Sequence, residues 1–317
     1  MSGLATILRK ELTDQFRSKR YIILFLLILL SSGLASYGAA QSIRDELSRA
    51  TASTFVFLRL FTTSGGVLPS FLSFMGFLGP IVGIALGFDA INSEQSSGTI
   101  SRVLSQPIYR DSLINGKFLA AITIIGVMFL SIFLIVGGLG LRLLGVPPSS
   151  EEIVRILVFL VLCVVYVGFW MGLAILFSIF FKRPATSALG VLAIWLFLSV
   201  FMFIVANLVT TYVVSDKLGQ QLTQEEFAAR QQSVRDNVMR ISPSTLFEEA
   251  SVTVLTPTVR SLGPLLSTQT TRLVPNPLSL GQSMGLVWPH LTGLIALTAL
   301  CFGGSYVSFM RREIRST

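Results

Sequence analysis

Few residues of this chain have the type and spacing that catalysis or metal binding needs. The single histidine, His290, follows Trp288 and Pro289, and the two cysteines, Cys163 and Cys301, each lie inside an apolar run. The sequence contains no HExxH motif, no GxSxG motif and no Cys/His cluster, so hydrolytic and metal-centre chemistry lack their usual residues. We expect no catalytic, cofactor-binding or metal-binding site, an interfacial place for the histidine, and core places for the cysteines.

The sequence also lacks the residues that bind the phosphates of a nucleotide. A phosphate-cradling loop has the pattern GxxxxGK[ST], but Gly116 and Lys117 are preceded by no glycine at that spacing and followed by Phe118. The chain by itself is therefore not expected to be an enzyme. If it moves a solute uphill, ATP must be bound and hydrolysed by another chain.

The polar stretch 93–117, SEQSSGTISRVLSQPIYRDSLINGK, separates two long apolar blocks. Apolar residues at helical spacing predict a short amphipathic helix over 97–105, ended by a proline. Asp111 and Ser112 are expected to cap the next helix, which runs into the following apolar block. A short helix held between two rigid spans would act as a lever for whatever binds it. The alternative is a solvated connector.

The elements that position this stretch are membrane helices. Of the 317 residues, 52% are hydrophobic and 13% are charged, and the mean hydropathy is +0.74. A soluble domain of this length could not bury so much apolar surface. Six runs reach the ~20 residues that cross a bilayer. They lie near 21–40, 68–91, 118–145, 153–181, 185–214 and 286–310.

The net charge of +8 is scattered at the ends of the apolar runs rather than gathered on one face. This favours a topological role over nucleic-acid binding, because cytoplasmic segments of membrane proteins carry the excess of Lys and Arg. We expect both termini and the segment 92–117 to lie on the cytoplasmic side of a prokaryotic cell membrane. The spans are nearly free of charge, which weighs against an ion-coupled carrier.

The first 20 residues predict a helix that lies in the cytoplasmic interface. Leu4, Ile7, Leu8, Leu12 and Phe16 recur at helical spacing, and the basic residues lie mostly on other faces. These basic residues are Arg9, Lys10, Arg17, Lys19 and Arg20. The alternative is a solvated basic lead that only sets orientation.

Two outer segments also predict helices. Residues 41–67 are apolar in their second half but interrupted by Arg59, which indicates an outer interfacial helix. The external loop 215–285 contains two capping-box patterns, Thr223 with Glu226 and Thr245 with Glu248, each of which predicts the start of a short helix. The fold class is therefore an all-α polytopic membrane protein, a single transmembrane domain over 1–317, with a helical external loop between spans five and six.

The polar stretch resembles the segment between the second and third helices of type-2 ATP-binding-cassette (ABC) permeases. An acid, a Gly-Thr pair, a leucine, a proline, an arginine and a Gly-Lys pair recur there. In this chain they are Glu94, Gly98, Thr99, Leu104, Pro107, Arg110, Gly116 and Lys117. The N-terminal FRSKRYIIL, the six-span plan and SPSTLFEEA after the fifth span are similar to that family as well.

This resemblance implies the membrane-spanning permease subunit of an ABC exporter. It implies two permeases, identical or related, in the lipid bilayer, paired with two cytoplasmic ATPase subunits that hold ATP and Mg. The implied docking element covers 96–110. Ile100, Val103 and Leu104 would be its buried contacts, Arg102 and Arg110 would pair with the ATPase, and Glu94 would anchor its start. A membrane scaffold or assembly factor that binds a partner through the same segment stays an alternative, with an ion-coupled carrier as a third.

Overall fold

The computed structural model describes residues 3–48, 55–66, 68–96, 109–214, 223–258 and 277–311, and these are almost entirely helical, with no strand among them. The helices are α1 (Gly3–Phe16), α2 (Lys19–Ser48), α3 (Arg59–Thr62), α4 (Phe71–Gly87), α5 (Asn92–Ser96), α6 (Arg110–Leu144), α7 (Ser150–Phe180), α8 (Pro184–Leu196), α9 (Met202–Val213), α10 (Gln224–Met239), α11 (Pro243–Leu255) and α12 (Leu280–Arg311). A π-helical turn, Phe197–Phe201, joins α8 to α9.

Six stretches of these helices are long and apolar enough to cross a membrane, as the sequence predicted. They are Lys19–Leu47, Phe71–Ser96, Arg110–Leu144, Ser150–Phe180, Pro184–Val213 and Leu280–Arg311. Helices α2 and α12, which form the first and last spans, are longer than the apolar runs predicted for them, because a helix can continue into polar sequence. The bundle has two ends, which we call the α1 end and the α11 end after the helices that lie there.

The outer segment 41–67 is described only in part, and two predicted helix starts are wrong. In 41–67 the structure describes an extension of α2 and the four-residue α3, joined by Arg59 Nη2 and Glu46 Oε2 at 2.6 Å, while residues 49–54 and 67 of the predicted interfacial helix lie outside the described residues. Helix α6 begins at Arg110 with Tyr109 as its N-cap, ahead of the predicted caps. Helix α11 begins at Pro243, since proline suits the first helical position. Thr245 therefore lies inside the helix, and its predicted capping box with Glu248 does not form.

One predicted capping box is present and another was missed. Thr223 accepts a hydrogen bond from the Glu226 backbone N–H, and the Glu226 carboxylate accepts one in return from the Thr223 N–H. Ser149 and Glu152 form the same reciprocal pair at the start of α7. Glu152 also accepts a hydrogen bond from the Phe57 N–H at 2.9 Å. The cap of α7 thereby holds the chain that leads into α3.

The core lies where α4 crosses α7 with almost no side chains between their backbones. A Cβ atom on Gly83 would lie 2.5 Å from the Val167 carbonyl oxygen, and one on Gly87 would lie 2.6 Å from that of Met171. Small residues allow such close approach, which is how membrane helices gain packing energy without a hydrophobic driving force. Aromatic rings fill the α11 end of this core: Phe61, Phe71, Phe133, Phe159, Tyr166 and Phe247.

Arg155 of α7 joins three elements at the α11 end. Its side chain is fully buried and donates to the carbonyls of Val254 and Leu278 at 3.0 and 2.7 Å. It also donates to the Ser283 hydroxyl at 3.0 Å and pairs with Glu151 at 2.8 Å. One guanidinium therefore fixes the end of α11 and the start of α12 against α7.

Candidate functional site

Lys117 bridges three helices at the α1 end. Its Nζ atom lies 3.0 Å from Glu11 Oε1 of α1 and 2.8 Å from Glu94 Oε1 of α5, and its own backbone belongs to α6. The lysine side chain is 8% exposed and the two carboxylates are 12% and 17% exposed. A charge this buried is tolerated only when it is paired. The ammonium group therefore ties the helices on both sides of the polar stretch to the N-terminal helix.

The electrostatics of Glu11 follow from this pairing. Burial raises the pKa of the carboxyl group, but the nearby Lys117 and Lys10 outweigh burial and hold that pKa below its ordinary value of 4.5. Lys10 is itself mostly exposed. Burial lowers the pKa of Lys10, while Glu11 and more distant carboxylates raise it by more. Glu11 is thus ionised at neutral pH, as the bridge requires.

A second ion pair joins α2 to α4 nearby. The Arg20 guanidinium donates to both carboxylate oxygens of Asp89, at 2.8 and 2.6 Å, and to the carbonyl of Ala85 at 3.0 Å. The same group lies 4.9 Å from the centre of the Phe88 ring. Bidentate arginine–carboxylate pairs are both strong and geometrically specific. The start of the first span is therefore fixed to the end of the second.

The turn that leads from α4 into α5 is held by the end of α7. The backbone N–H groups of Ile91 and Asn92 both donate to Ser178 Oγ, at 2.9 and 3.1 Å. The Asn92 amide donates to the carbonyl of Phe181 at 3.4 Å. The polar stretch thus starts from a rigid support.

Gly116 brings α1 into direct contact with α6. A Cβ atom at this position would lie 2.7 Å from Ile7 Cγ2, closer than side-chain carbons pack. Ile7 is 4% exposed and is the buried apolar residue of α1. The Gly-Lys pair therefore has two structural roles here: the glycine admits α1, and the lysine binds its carboxylate.

A cavity of about 440 Å³ lies between these elements. Charged side chains of both signs line it: Lys10, Glu11, Asp14, Arg20, Asp89, Glu94 and Lys117. Most of these groups are already paired with one another. The cavity is therefore a polar gap between α1, α5 and α6, and the ion pairs of that region line it.

The structure places the predicted site residues unevenly. Glu94, Gly116 and Lys117 come together with α1, and Arg110 opens α6. Phe16 stacks edge-on against Tyr21 with ring centres 5.2 Å apart. Arg9, Lys10, Arg17 and Lys19 are exposed. The predicted helix over 97–105 and its residues Gly98, Thr99, Ile100, Arg102, Val103, Leu104 and Pro107 lie outside the described residues.

Two carboxylates that pair with cationic side chains at the α1 end, Glu11 and Asp89, were not predicted as site residues from the sequence. Glu11 lies four residues after Ile7 and three after Leu8, so it falls on the apolar face of α1. A charge on an otherwise apolar face indicates a buried partner, and this signal could have identified it. Asp89 carries a weaker signal, since it ends an apolar run where a charged residue is common.

His290, which the sequence predicted to lie at the membrane interface, is buried between two helices. It is 5% exposed, and its Nε2 atom lies 2.7 Å from Glu249 Oε2 of α11, which also accepts from Arg240 Nε at 2.9 Å. The two cysteines are free thiols; Cys163 is buried and Cys301 is half-buried. In the described residues, no group of three or more His, Cys, Asp or Glu side chains could hold a metal ion.

Comparison with known proteins agrees with this architecture. The family model described as "ABC-2 family transporter protein" matches residues 5–314. The chain is 33% identical over 147 residues to a Pseudomonas aeruginosa protein named "Probable ABC transporter permease protein NosY", covering 46% of this chain and 47% of that protein. It is 31% identical over 153 residues to the Stutzerimonas stutzeri protein of the same name, covering 45% and 50%.

The chain thus spans about half the length of the curated relatives it matches. The family model, in contrast, covers nearly all of it, including α1, the six apolar helices and the outer helices between the fifth and sixth of them. The chain is a multi-pass membrane protein that belongs to the ABC-2 transporter family.

Proposed function

We propose that this chain is the membrane-spanning permease subunit of an ABC exporter. It forms the translocation path, and a separate ATPase subunit binds ATP and Mg and supplies the energy. Family membership, two relatives named as ABC transporter permeases and six apolar helices support this role. Membership of this family also indicates a non-catalytic membrane subunit, in agreement with a sequence that lacks a phosphate-binding loop.

The α1 end faces the cytoplasm in this proposal. It carries the basic residues of α1, the start of α2 and the turn at Lys182 and Arg183, and cytoplasmic segments hold the excess of positive charge. Both chain termini then lie inside, and α10 and α11 lie outside. The two relatives come from bacteria, which supports a prokaryotic cell membrane.

The bridge at Lys117 is the observation that carries the coupling mechanism. The segment 97–108 connects α5, which carries Glu94, to α6, which carries Lys117 in its first turns, and these two side chains bind each other. Glu11 adds α1 to the same unit. A force that a docked ATPase applies to the segment would therefore move α4, α6 and α1 together rather than bend a loose loop.

The assembly we propose has two permeases and two ATPase subunits. The fifth span supports a second permease copy, because only 11% of its apolar window is buried within one chain, against 61% for the second span. Its exposed residues include large apolar side chains on several faces, among them Leu189, Val200 and Leu208. A partner helix would cover part of this surface and lipid the rest.

Co-purification of the chain with its ATPase tests docking. We expect Leu104→Asp and Arg102→Glu to abolish the complex, since one removes an apolar contact and the other reverses a charge in the segment. Arg142→Glu, at the opposite end of α6, is the control and should leave the complex intact. Recovery of the complex with both segment variants would contradict the docking site.

Reconstitution in vesicles separates transport from a scaffold role. ATP hydrolysis stimulated by a transported solute and lost in the Leu104→Asp variant is expected of a permease. A stable complex whose hydrolysis no solute alters would favour a scaffold. Transport that ignores ATP but stops with a proton uncoupler would identify an ion-coupled carrier instead.

A further inference from the structure

A second cavity, of about 380 Å³, lies at the α11 end of the bundle. It is bounded by the start of α4, the end of α10 and one face of α11. Its walls combine hydroxyl groups, apolar side chains and two carboxylates: Thr62, Ser70, Ser73, Thr245, Thr256, Leu72, Met239, Val252, Glu248 and Glu249. Its volume falls within the range of small-molecule sites, roughly 300–1,000 Å³.

The two carboxylates differ in their surroundings. Glu249 is 5% exposed, and its Oε2 atom is bound by Arg240 and His290 at 2.9 and 2.7 Å. Its other oxygen, Oε1, is buried without a hydrogen-bond partner. Glu248 makes no hydrogen bond and no ion pair with any residue that the structure describes. The cavity therefore holds more acceptor capacity than the fold itself satisfies.

Glu248 is recessed but reachable. Its side chain is exposed, yet its Oε1 atom lies only 3.4 Å from the position of a Cβ on Gly76 in the second span. Burial, and then the neighbouring Glu249, raise the pKa of Glu248 above its ordinary value. These observations agree when the carboxylate faces the lumen of the cavity, where water reaches it although protein surrounds it.

A recessed carboxylate that has no counter-ion among the described residues favours a cationic ligand, because an ammonium group forms a charge-assisted hydrogen bond with it and would add a donor beside the unpartnered Oε1 of Glu249. The neighbouring hydroxyls can accept its remaining N–H groups. The volume greatly exceeds the ~30 Å³ that one water occupies in liquid, and one wall is apolar. A ligand that fills this cavity would therefore be an organic molecule rather than a bare ion.

We propose that this outer cavity is a binding site for an ammonium-bearing organic molecule, with Glu248 as the counter-ion. Leu72, Met239 and Val252 would contact the carbon skeleton. The ligand is either a free amine or the ammonium headgroup of a lipid in the outer leaflet. The site does not depend on the proposed transport function, since binding can be measured without an ATPase.

Calorimetric titration of hexylamine into the full chain tests the site. The chain is held in nanodiscs of phosphatidylglycerol, which carries no ammonium group, at neutral pH. We expect saturable binding that weakens by about tenfold or more in Glu248→Gln, because a charge-assisted contact is lost. Glu248 has no partner among the residues that the structure describes, so this variant should keep its thermal stability.

Two controls make the result specific. Glu226→Gln removes an exposed carboxylate of α10 outside the cavity and should bind hexylamine as the unmodified chain does. Hexanol, which has the same skeleton without the charge, should not distinguish Glu248→Gln from the unmodified chain. Equal hexylamine affinity in all three proteins, or no saturable binding to the unmodified chain, would overturn the proposal.

Phosphatidylethanolamine identifies the source of the ammonium group. If this lipid lowers the hexylamine affinity of the unmodified chain but not of Glu248→Gln, the site takes a lipid headgroup. If it has no effect while hexylamine still depends on Glu248, the site takes a free amine. A loss of affinity that is equal in both proteins would reflect the membrane surface and would count against a lipid headgroup in this cavity.

Discussion

At the scale of single residues, the buried charges decide how the α1 end is held together. Lys117 satisfies two carboxylates from two other helices, while Arg20 and Asp89 satisfy each other. Such pairs add little net stability relative to an apolar core, but breaking one leaves a charge buried alone. The bridge is therefore a position where a single substitution should have a large effect.

Lys117→Met should destabilise the chain by roughly 3–5 kcal/mol, because Glu11 and Glu94 would both lose the buried ammonium group that pairs with them. Thermal unfolding of the purified chain in detergent measures this. Lys10→Met is the matched control, since that lysine is mostly exposed and its loss should be small. Similar losses for both variants would contradict a special role of the buried bridge.

The docking of α1 should depend on pH through Glu11. A lowered pKa in the folded state contributes stability that is fully present above the ordinary value of 4.5 and is lost as pH falls through the folded pKa. The protection of α1 amides, measured as hydrogen exchange corrected for its intrinsic pH dependence, should therefore fall as the pH drops below 4.5. Glu11→Gln, which is neutral throughout, should lack this pH-dependent loss of protection.

At the scale of elements, two contacts position helices that packing alone would leave loose. Gly116 allows α1 to lie against α6, and Arg155 holds the ends of α11 and α12 on α7. Both contacts lie near the ends of long helices, where a small displacement changes the angle of the whole helix. They are suited to transmit or to limit motion between the two ends of the bundle.

Gly116→Ala should displace α1, because the new methyl group would lie 2.7 Å from Ile7 Cγ2. Overpacking of this kind costs about 1–3 kcal/mol. Gly126→Ala in the same helix is the control, since no atom lies within 4 Å of a Cβ there, and the better helix propensity of alanine favours it. Faster proteolysis of α1 in the first variant alone is the expected result.

Arg155→Met should release α11 and the start of α12, since two carbonyls and a hydroxyl would lose their donor. Each buried group left without a partner costs about 1–3 kcal/mol. Hydrogen exchange of α11 should accelerate in this variant. Exposed Arg142, also at the α11 end, is the control, and Arg142→Met should leave the exchange of α11 unchanged.

At the scale of the whole molecule, the fifth span is the least covered. Eleven per cent of its apolar window is buried, compared with 50% for the third span. A lipid-facing helix and an interface helix look alike within one chain, but a helix with so little internal contact needs other support to keep its place. This is why we propose the second permease copy at this span.

Cysteine cross-linking tests the position of that interface. In a chain with Cys163→Ala and Cys301→Ala, Leu208→Cys on the fifth span should give an oxidised dimer in membranes. Leu134→Cys on the third span should not, although the two leucines are 66% and 67% exposed. Equal cross-linking at both positions, or none at Leu208, would place the interface elsewhere.

Hydropathy and helical spacing were enough to predict the all-α polytopic fold, because they depend on composition along one helix at a time. The six apolar runs and the separate N-terminal helix could be read in this way, whereas capping-box patterns indicated the two outer helices, and only the one of Thr223 and Glu226 forms. Helix ends were predicted less accurately, since Tyr109 is the N-cap of α6 and α11 begins at Pro243, and neither was the predicted cap. Several residues near each of these ends are suited to capping, and their spacing alone does not show which one begins the helix.

The pairing of charges was decided only by the tertiary structure. Glu11, Glu94 and Lys117 are separated by as many as 106 residues along the chain, and Glu249 meets His290 across 41 residues. No local pattern encodes such contacts, because they depend on how helices pack and which faces turn inward. The sequence by itself determined that the chain is a membrane bundle, and the packing of that bundle decided which of its few charged groups are joined and which, such as Glu248, have no partner among the described residues.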